Sequence, residues 1–378
     1  MKQIRKTGHY EQLGMSKHFI PSPLPPKDPS LKLDTEMISL YGKAMKQLGQ
    51  LEEMLQRIPD SSRFLRAYIT KEAMLSSEIE GINTTIAEVF SFEHREYQKY
   101  RSDTRLVLNY IDAMQLGLTA LKEGRLPLST RVILQCHRQL LAGTDDNADP
   151  GNLRRQQVRV GNLLPAPAPH VPGLIAELER FINQDSSTLP LIKAGLAHVQ
   201  FETIHPFLDG NGRIGRLLIV LMLVKDGLIS QPLIYPSYYF KKHRSEYYEL
   251  LDGVRTQGDW ESWISFYLRA VIHTARDAWQ RAKNIENLEH TIIHTITTSS
   301  LSMKKREEAL KLLPCLFSSP VISIGEAARQ MGKSYNAAKS LIEDFVELDI
   351  LSQPGDQKRN KVYEFSQYLH LLDSDYAL

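Results

Sequence analysis

From residue 34 to about residue 290, apolar side chains recur three and four positions apart in one stretch after another. That is the period of helices with one buried face, and it leaves little room for a sheet. Asp34 is placed to cap a helix start, and Met37, Tyr41, Ala44, Leu48, Leu51 and Leu55 then form the first stripe, which Pro59 ends. A second helix is expected over 61–80, closed by Gly81, because glycine tolerates the left-handed conformation of a helix end. Further helical patterns cover 85–100, 104–123, 129–142, 190–204, 213–225, 242–255 and 260–290, so the body is read as all-α.

Three segments break the pattern. Residues 1–33 contain Pro21, Pro23, Pro25, Pro26 and Pro29, which remove amide donors and favour an extended arm along the surface. Residues 143–172 are rich in Asp, Asn, Gly and Pro, and the alternating QQVRVG at 156–161 reads as a short β-hairpin in a long loop. From about residue 301 an apolar helix precedes ISIGEAARQMG, SYNAAKSLIEDFVELDIL and the strand-like KVYEF, the order of a winged helix-turn-helix. The expected division is therefore an arm over 1–33, a helical region over 34–100, a helical core over 101–290 and a winged helix over 300–378.

With 378 residues and 42% hydrophobic content, the chain can bury one large core and a second small one. Lys and Arg number 46 against 44 for Asp and Glu, and a formal charge of +2 gives no global attraction to nucleic acid or anionic membrane. Any basic patch must be local. In the tail, Lys333, Lys339, Lys358, Arg359 and Lys361 offer phosphate contacts to DNA, yet Glu343, Asp344, Glu347 and Asp349 crowd the end of the recognition helix. DNA binding, protein contact and support of the core all stay open for this segment, as does a homo-oligomer. Cys136 and Cys315 match neither a metal spacing nor a disulfide framework and read as buried thiols in a reducing compartment. The first ten residues lack the apolar stretch of a signal peptide, and the longest apolar run, 217–224, is too short to cross a bilayer. The expectation is a soluble cytoplasmic protein with no membrane partner.

The most informative stretch is HPFLDGNGRIGR at 205–216, a loop that opens a strongly apolar helix. Gly210 and Gly212 allow a tight turn and close approach to a ligand, and the first amides of the following helix point at whatever binds there. Arg213 and Arg216, three apart in the first turn, add two permanent charges with phosphate-matching geometry. Asp209 supplies a hard oxygen of the kind that holds Mg²⁺ beside substrate phosphates, and His205 is a base that is neutral near pH 7. A zinc pair of His205 and Asp209 is disfavoured because Pro206 and the glycines interrupt the helix it would need. Residues 210–215 satisfy G-x-G-x-x-G, but no strand precedes them, and no Walker lysine or kinase catalytic loop occurs elsewhere.

HPFLDGNGRIGR resembles the signature of the Fic family, HPFx(D/E)GNGRxxR, at every defined position. The likeness extends from about residue 31 to residue 255 and includes RSEYY and VRVG. It implies an all-helical fold and a protein adenylyltransferase that moves AMP from ATP to a Ser, Thr or Tyr hydroxyl of a target protein and of itself. Carried over by position, His205 deprotonates that hydroxyl and Asp209 holds Mg²⁺. Asn211 with the amides around Gly210 and Gly212 stabilises the α-phosphate, while Arg213 and Arg216 bind the β- and γ-phosphates. The resemblance also makes Val158, Arg159, Val160 and Gly161 the flap that docks a target segment, and it sets Tyr247 beside the adenine. Retained glycines in GNGR speak for AMP transfer over kinase chemistry. A regulator that binds DNA and only senses nucleotide is the rival of another class.

At the end of the second expected helix, Ser76 to Gly81 match the family's inhibitory pattern (S/T)xxxE(G/N). Ser76 and Glu80 are one turn apart, and a carboxylate in the last turn of a helix is unfavourable unless a cation meets it. The resemblance supplies Arg216 as that cation and makes Glu80 a brake on γ-phosphate binding. In some members the same glutamate helps to remove AMP.

Overall fold

A computed structural model describes residues 5–57, 62–92, 102–123, 127–144, 148–354 and 361–374. The chain opens with an antiparallel hairpin, β1 (Gly8–Leu13) and β2 (Ser16–Pro21), in which Gly8 faces Pro21 and Leu13 faces Ser16. The expected surface arm is therefore partly a sheet. Gly14, in the left-handed region at φ +59°, makes the turn that the proline pattern did not signal. Phe19 and Ile20 are buried, and Arg5 pairs with Glu261 at 2.7 Å, so the segment is pinned to the body.

Helices follow in chain order: α1 (Thr35–Arg57), α2 (Ser62–Ile79), α3 (Ile86–Ser91), α4 (Ser102–Glu123), α5 (Thr130–Leu140), α6 (Val171–Gln184), α7 (Pro190–Ile204) and α8 (Asn211–Lys225). Asp34 caps α1 as expected, its Oδ1 accepting from the Met37 amide at 2.8 Å. Gly81 closes α2 at φ +83°: its amide meets the Glu78 carbonyl at 3.1 Å, and the Ile82 amide reaches back to the Ser77 carbonyl at 3.1 Å. Two differences have local causes. The helix α6 went unread because Pro172 near its start looked like loop, although proline is well suited to a first helical turn. The helix α8 starts at Asn211 rather than 213 because Gly210, at φ +77°, already turns the chain into it.

Next come α9 (Ser237–Lys242), α10 (Arg244–Gln257) and α11 (Trp260–Thr298), the last extending beyond residue 290 and packing along α1. The expected helix over 242–255 is divided from α9 at His243. The remaining elements are α12 (Met303–Ser318), β3 (Val321–Ser323), α13 (Ile324–Met331), α14 (Tyr335–Glu347), β4 (Val362–Glu364) and α15 (Ser366–Asp373), with β3 antiparallel to β4. The position of Pro59, most of 92–101, and Lys358 and Arg359 lie outside the described residues.

Nearly every residue of α7 and α8 is buried, which is the signature of central helices. Around this pair stand α2, α4, α5, α6, α10 and α11. The catalytic-looking loop is thus the link between the two most enclosed helices, and their packing fixes its ends. No helix of the described residues is long and apolar enough to cross a membrane. Cys136 is buried, whereas Cys315 is only half-buried, and both are free thiols.

Candidate active site

His205 ends α7 in the left-handed conformation, φ 49° and ψ 64°, with its amide still bonded to the Phe201 carbonyl at 2.9 Å. A non-glycine residue held there is strained, so the surroundings must fix it. The imidazole Nδ1 faces the Glu202 carbonyl at 3.4 Å, which can only accept, so the proton belongs on Nδ1 and Nε2 is left as the basic nitrogen. Burial pushes the ring's pKa down to about 4, against the pull of that carbonyl and with help from the Arg154 charge. The imidazole is neutral at physiological pH.

Beyond His205 the loop is closed by a reciprocal amide pair. Asn211 Oδ1 accepts from the Phe207 amide and Asn211 Nδ2 donates to the Phe207 carbonyl, both at 2.9 Å. The Asn211 side chain, expected at a phosphate, is therefore spent on shaping the loop. Asp209 keeps 64% of its side chain exposed and lies 3.4 Å from Arg213 Nη2. Arg213 is 3% exposed, and its Nε and Nη1 are buried without a partner.

Arg216, 1% exposed, is fully engaged. Its Nε donates to Ser76 Oγ at 2.9 Å, and Nη2 donates to the Ser76 carbonyl at 2.9 Å and to Glu80 Oε1 at 2.7 Å. Burial would raise the Glu80 pKa, but the charges of Arg216, Arg213 and Arg244 outweigh it and hold the carboxyl below its ordinary value. Gly212 leaves the necessary room, since a Cβ there would overlap Glu80 Oε1. The inhibitory pairing expected from Ser76, Glu80 and Arg216 is present as geometry.

Two expectations fare differently. Residues 156–161 do not form a β-hairpin. The only pairing in this stretch of the described residues is a single bridge of Val160 with Leu163 around Gly161, whose φ is +56°. Two strands of adequate length cannot develop because Pro165 follows at once; the neighbouring partner is β2, whose Phe19 amide bonds the Leu164 carbonyl at 2.9 Å. Arg159 and Gly161 are exposed, with Val158 and Val160 half-buried beside them. Tyr247 lies beneath the site rather than at its surface. It is 1% exposed and stacked on Phe240, and its hydroxyl donates to His198 Nε2 at 2.8 Å while His198 Nδ1 donates to the Gly215 carbonyl at 2.9 Å.

The sequence reading missed four residues that build this site. His198 and Glu202 lie on the largely buried helix α7, where any polar residue needs a reason. Glu202 packs so close to Gly215 that a Cβ there would overlap its Oε1, and burial pushes its carboxyl up to about 7. His137 stacks on Phe207 with ring centroids 3.7 Å apart, accepts from the Gly151 amide at 2.9 Å and donates to the Asp209 carbonyl at 3.0 Å. Arg154 gathers carbonyls of the catalytic turn. The signal for these two was faint, because each stands in a stretch that reads as ordinary helix or loop.

A left-handed glycine turn opens a buried helix there, with the guanidinium groups of Arg213 and Arg216 and a neutral imidazole beside it, an arrangement whose charge and free amides suit an anion. Residues 127–223 match the model of the Fic/DOC family, and residues 38–119 match that of the Fic/DOC family N-terminal region. The chain thus carries Fic/DOC family regions over those two stretches. It is 33% identical over 237 residues to proteins named "Protein adenylyltransferase Fic" from Drosophila sechellia and Drosophila melanogaster, an overlap of 60% of this chain and 46% of each relative. The aligned part thus spans about half the length of the curated relatives. Among solved structures, a Fic family protein from Desulfovibrio desulfuricans G20 matches with a TM-score of 0.58 and 18% identity, covering 89% of this chain and 97% of that one. Fic-1 (aa134 - 508) from C. elegans matches with a TM-score of 0.51 and 22% identity, covering 68% and 76%. These structural likenesses bear on the fold.

Proposed function

We propose that this chain transfers AMP from ATP to a hydroxyl of a target protein and of itself, under the restraint of Glu80. The observation that carries the reading is Arg213, a buried guanidinium with two partnerless nitrogens at the amino end of α8. Burying such a group costs free energy unless an anion meets it, and the helix terminus favours an anion at the same place. The names of the Drosophila relatives support the same chemistry.

In this reading a Ser, Thr or Tyr hydroxyl, laid along residues 158–161, gives its proton to His205 Nε2. Its oxygen attacks the α-phosphorus in line, the bond from that phosphorus to the bridging oxygen breaks, and pyrophosphate leaves. The first amides of α8 meet the α-phosphate charge, and Arg213 and Arg216 take the β- and γ-phosphates. Asp209 fits Mg²⁺ as one exposed hard-oxygen ligand. Among the described residues no cluster of three His, Cys, Asp or Glu would hold an ion unaided, so the nucleotide phosphates supply the remaining ligands. When bound, the ion neutralises phosphate charge. Glu80 occupies the guanidinium that the γ-phosphate needs, which makes the resting protein slow.

We read residues 300–378 as a winged helix that serves protein contact or support rather than DNA. Lys333 pairs with Glu308 at 3.1 Å and Lys339 with Glu343 at 3.7 Å, so two of the basic groups suited to phosphates already have acidic partners.

The test is incorporation of label from α-³²P-ATP and, separately, γ-³²P-ATP into Glu80→Gly protein, with His205→Ala in that background as control. Label from the α-position alone, lost in the control, is the expected result. Label from the γ-position would mean phosphoryl transfer instead, and label from neither would remove the reading.

A further inference from the structure

Arg154 is 2% exposed and has no carboxylate partner among the described residues; its charge is met by backbone carbonyls. Its Nε donates to the His205 carbonyl at 2.7 Å, and Nη2 reaches the Ile204 carbonyl at 3.3 Å. Its own amide donates to the Pro206 carbonyl at 2.8 Å, so three consecutive carbonyls of the catalytic turn end on this one residue. The same guanidinium reaches the other way, from Nη1 to the Gln156 carbonyl at 3.1 Å and from Nη2 to the Ala166 carbonyl at 2.6 Å. Those carbonyls are the two feet of segment 157–165, in which Gln157, Arg159, Gly161 and Asn162 are exposed.

Burying a cation without an anion is costly, and burial lowers the Arg154 pKa to about 10. The carboxyl end of α7 repays part of that cost, because its unsatisfied carbonyls carry partial negative charge. A lysine or a bound water could cap the same helix more simply. What a lysine lacks is a planar fork that bonds both sides of a gap at once.

We propose that Arg154 is a positioning residue for the transfer reaction, locking the left-handed His205 peptide and both feet of segment 157–165 to one guanidinium. A target chain laid along that segment is then set in register with the base that activates its hydroxyl. This rests on the transferase reading given above. Arg154 touches neither the phosphate-binding arginines nor the first turn of α8 in its hydrogen bonding, so nucleotide binding should not depend on it.

The experiment compares Arg154→Lys and Arg154→Gln in Glu80→Gly protein by three measurements. These are affinity for a non-hydrolysable ATP analogue, the split between kcat and KM for target, and hydrogen exchange at the amides of Val160, Leu163, His205 and Phe207. Expected are analogue affinity within about twofold of the parent, kcat lower by about tenfold or more with a raised KM for target, and faster exchange in both segments together. Arg154→Lys, which keeps the charge, should recover stability before it recovers kcat, and it serves if Arg154→Gln does not fold. Exchange that rises in one segment alone, or analogue affinity falling in step with kcat, overturns the proposal. If Glu80→Gly protein transfers nothing, the reaction is wrong, and the exchange measurement still decides whether Arg154 joins the two segments.

Discussion

The Glu80 carboxylate meets the Arg216 guanidinium at 2.7 Å, in a space that exists only because residue 212 has no side chain. The pair joins the end of α2 to the second turn of α8, and Arg216 makes two further bonds to Ser76 that do not involve Glu80. Substituting Glu80 by Gly should therefore free the anion site without dismantling its wall. Transfer from α-³²P-ATP is expected to rise by about tenfold or more. The loss of stability should stay near about 1 kcal/mol, since the carboxylate is partly exposed. An unchanged rate in that variant would remove Glu80 as the brake.

Gly212 allows a sharper test of the same contact. In the native protein Gly212→Ala forces its new methyl against Glu80 Oε1, so the substitution should destabilise by about 1–2 kcal/mol. In the Glu80→Gly background the closest overlap is gone and only the Arg216 guanidinium, which a Cβ would meet at 3.0 Å, has to give way, so alanine's better helix propensity should bring the same change close to neutral. Denaturant midpoints of the four proteins give the coupling directly. Equal effects in both backgrounds would show that the carboxylate does not occupy that space in solution.

Arg213 should show function and stability opposed. Its Nε and Nη1 are buried without partners, and its nearest carboxylate, Asp209, is 3.4 Å away. Replacement by Met removes a buried cation that has one ion pair, at 3.4 Å, and two partnerless nitrogens while keeping apolar bulk, so a gain of about 1 kcal/mol in stability is expected. Affinity for ATP should fall at least about tenfold. A variant that is both less stable and undiminished in nucleotide binding would mean that the guanidinium serves the fold instead.

The sequence made the helical body and the anion-binding loop legible for a physical reason. Apolar period and glycine placement are local codes, and both act within a few residues of where they are written. Asp34, Gly81 and Gly210 show this, each doing at a helix end what its type does anywhere. Arg154 and His137 were invisible for the opposite reason. Their meaning lies in carbonyls 51 and 72 positions away at the motif, and a backbone acceptor leaves no mark in the sequence. The arm hairpin and the flap show a further limit. Alternation at 156–161 suggested strands, but the partner that takes this region's hydrogen bonds is β2, far away in the chain and masked by its prolines.

Three histidines enclosed by the core and the site, His137, His198 and His205, shape how the protein responds to acid. Burial lowers His137 and His205 to about 4 and His198 to about 3, from an ordinary value of 6.5. Each binds a proton more weakly folded than unfolded, so acid favours the unfolded chain; their contribution is intact above pH 6.5 and is lost progressively as pH falls toward 4. Urea midpoints should drop across that window. The rate of transfer in Glu80→Gly protein, corrected for the folded fraction, should hold down to about pH 5, because His205 is still a base there. An acid limb centred near 6.5 would show that His205 is solvated like an ordinary histidine.

The carboxyl end of α15 is held against α2. Lys71 of α2 donates to the Leu372 carbonyl at 3.0 Å and to the Ser374 carbonyl at 3.3 Å, and Arg281 of α11 reaches Leu372 at 2.9 Å and Ser374 at 2.6 Å. A helix end leaves its last carbonyls without partners, and here two buried cations take them. Since Ser76 lies on the same helix as Lys71 and Glu80 directly follows its end, the tail braces the element that carries the proposed brake. Lys71→Met should cost about 1–2 kcal/mol and raise the basal transfer of otherwise native protein a few-fold, as α2 loosens and Glu80 releases Arg216 more often. Hydrogen exchange along α2 reports the loosening independently of activity. If α2 exchanges faster and transfer does not change, the tail stabilises the helix without governing the brake; if neither changes, the contact carries no load in solution.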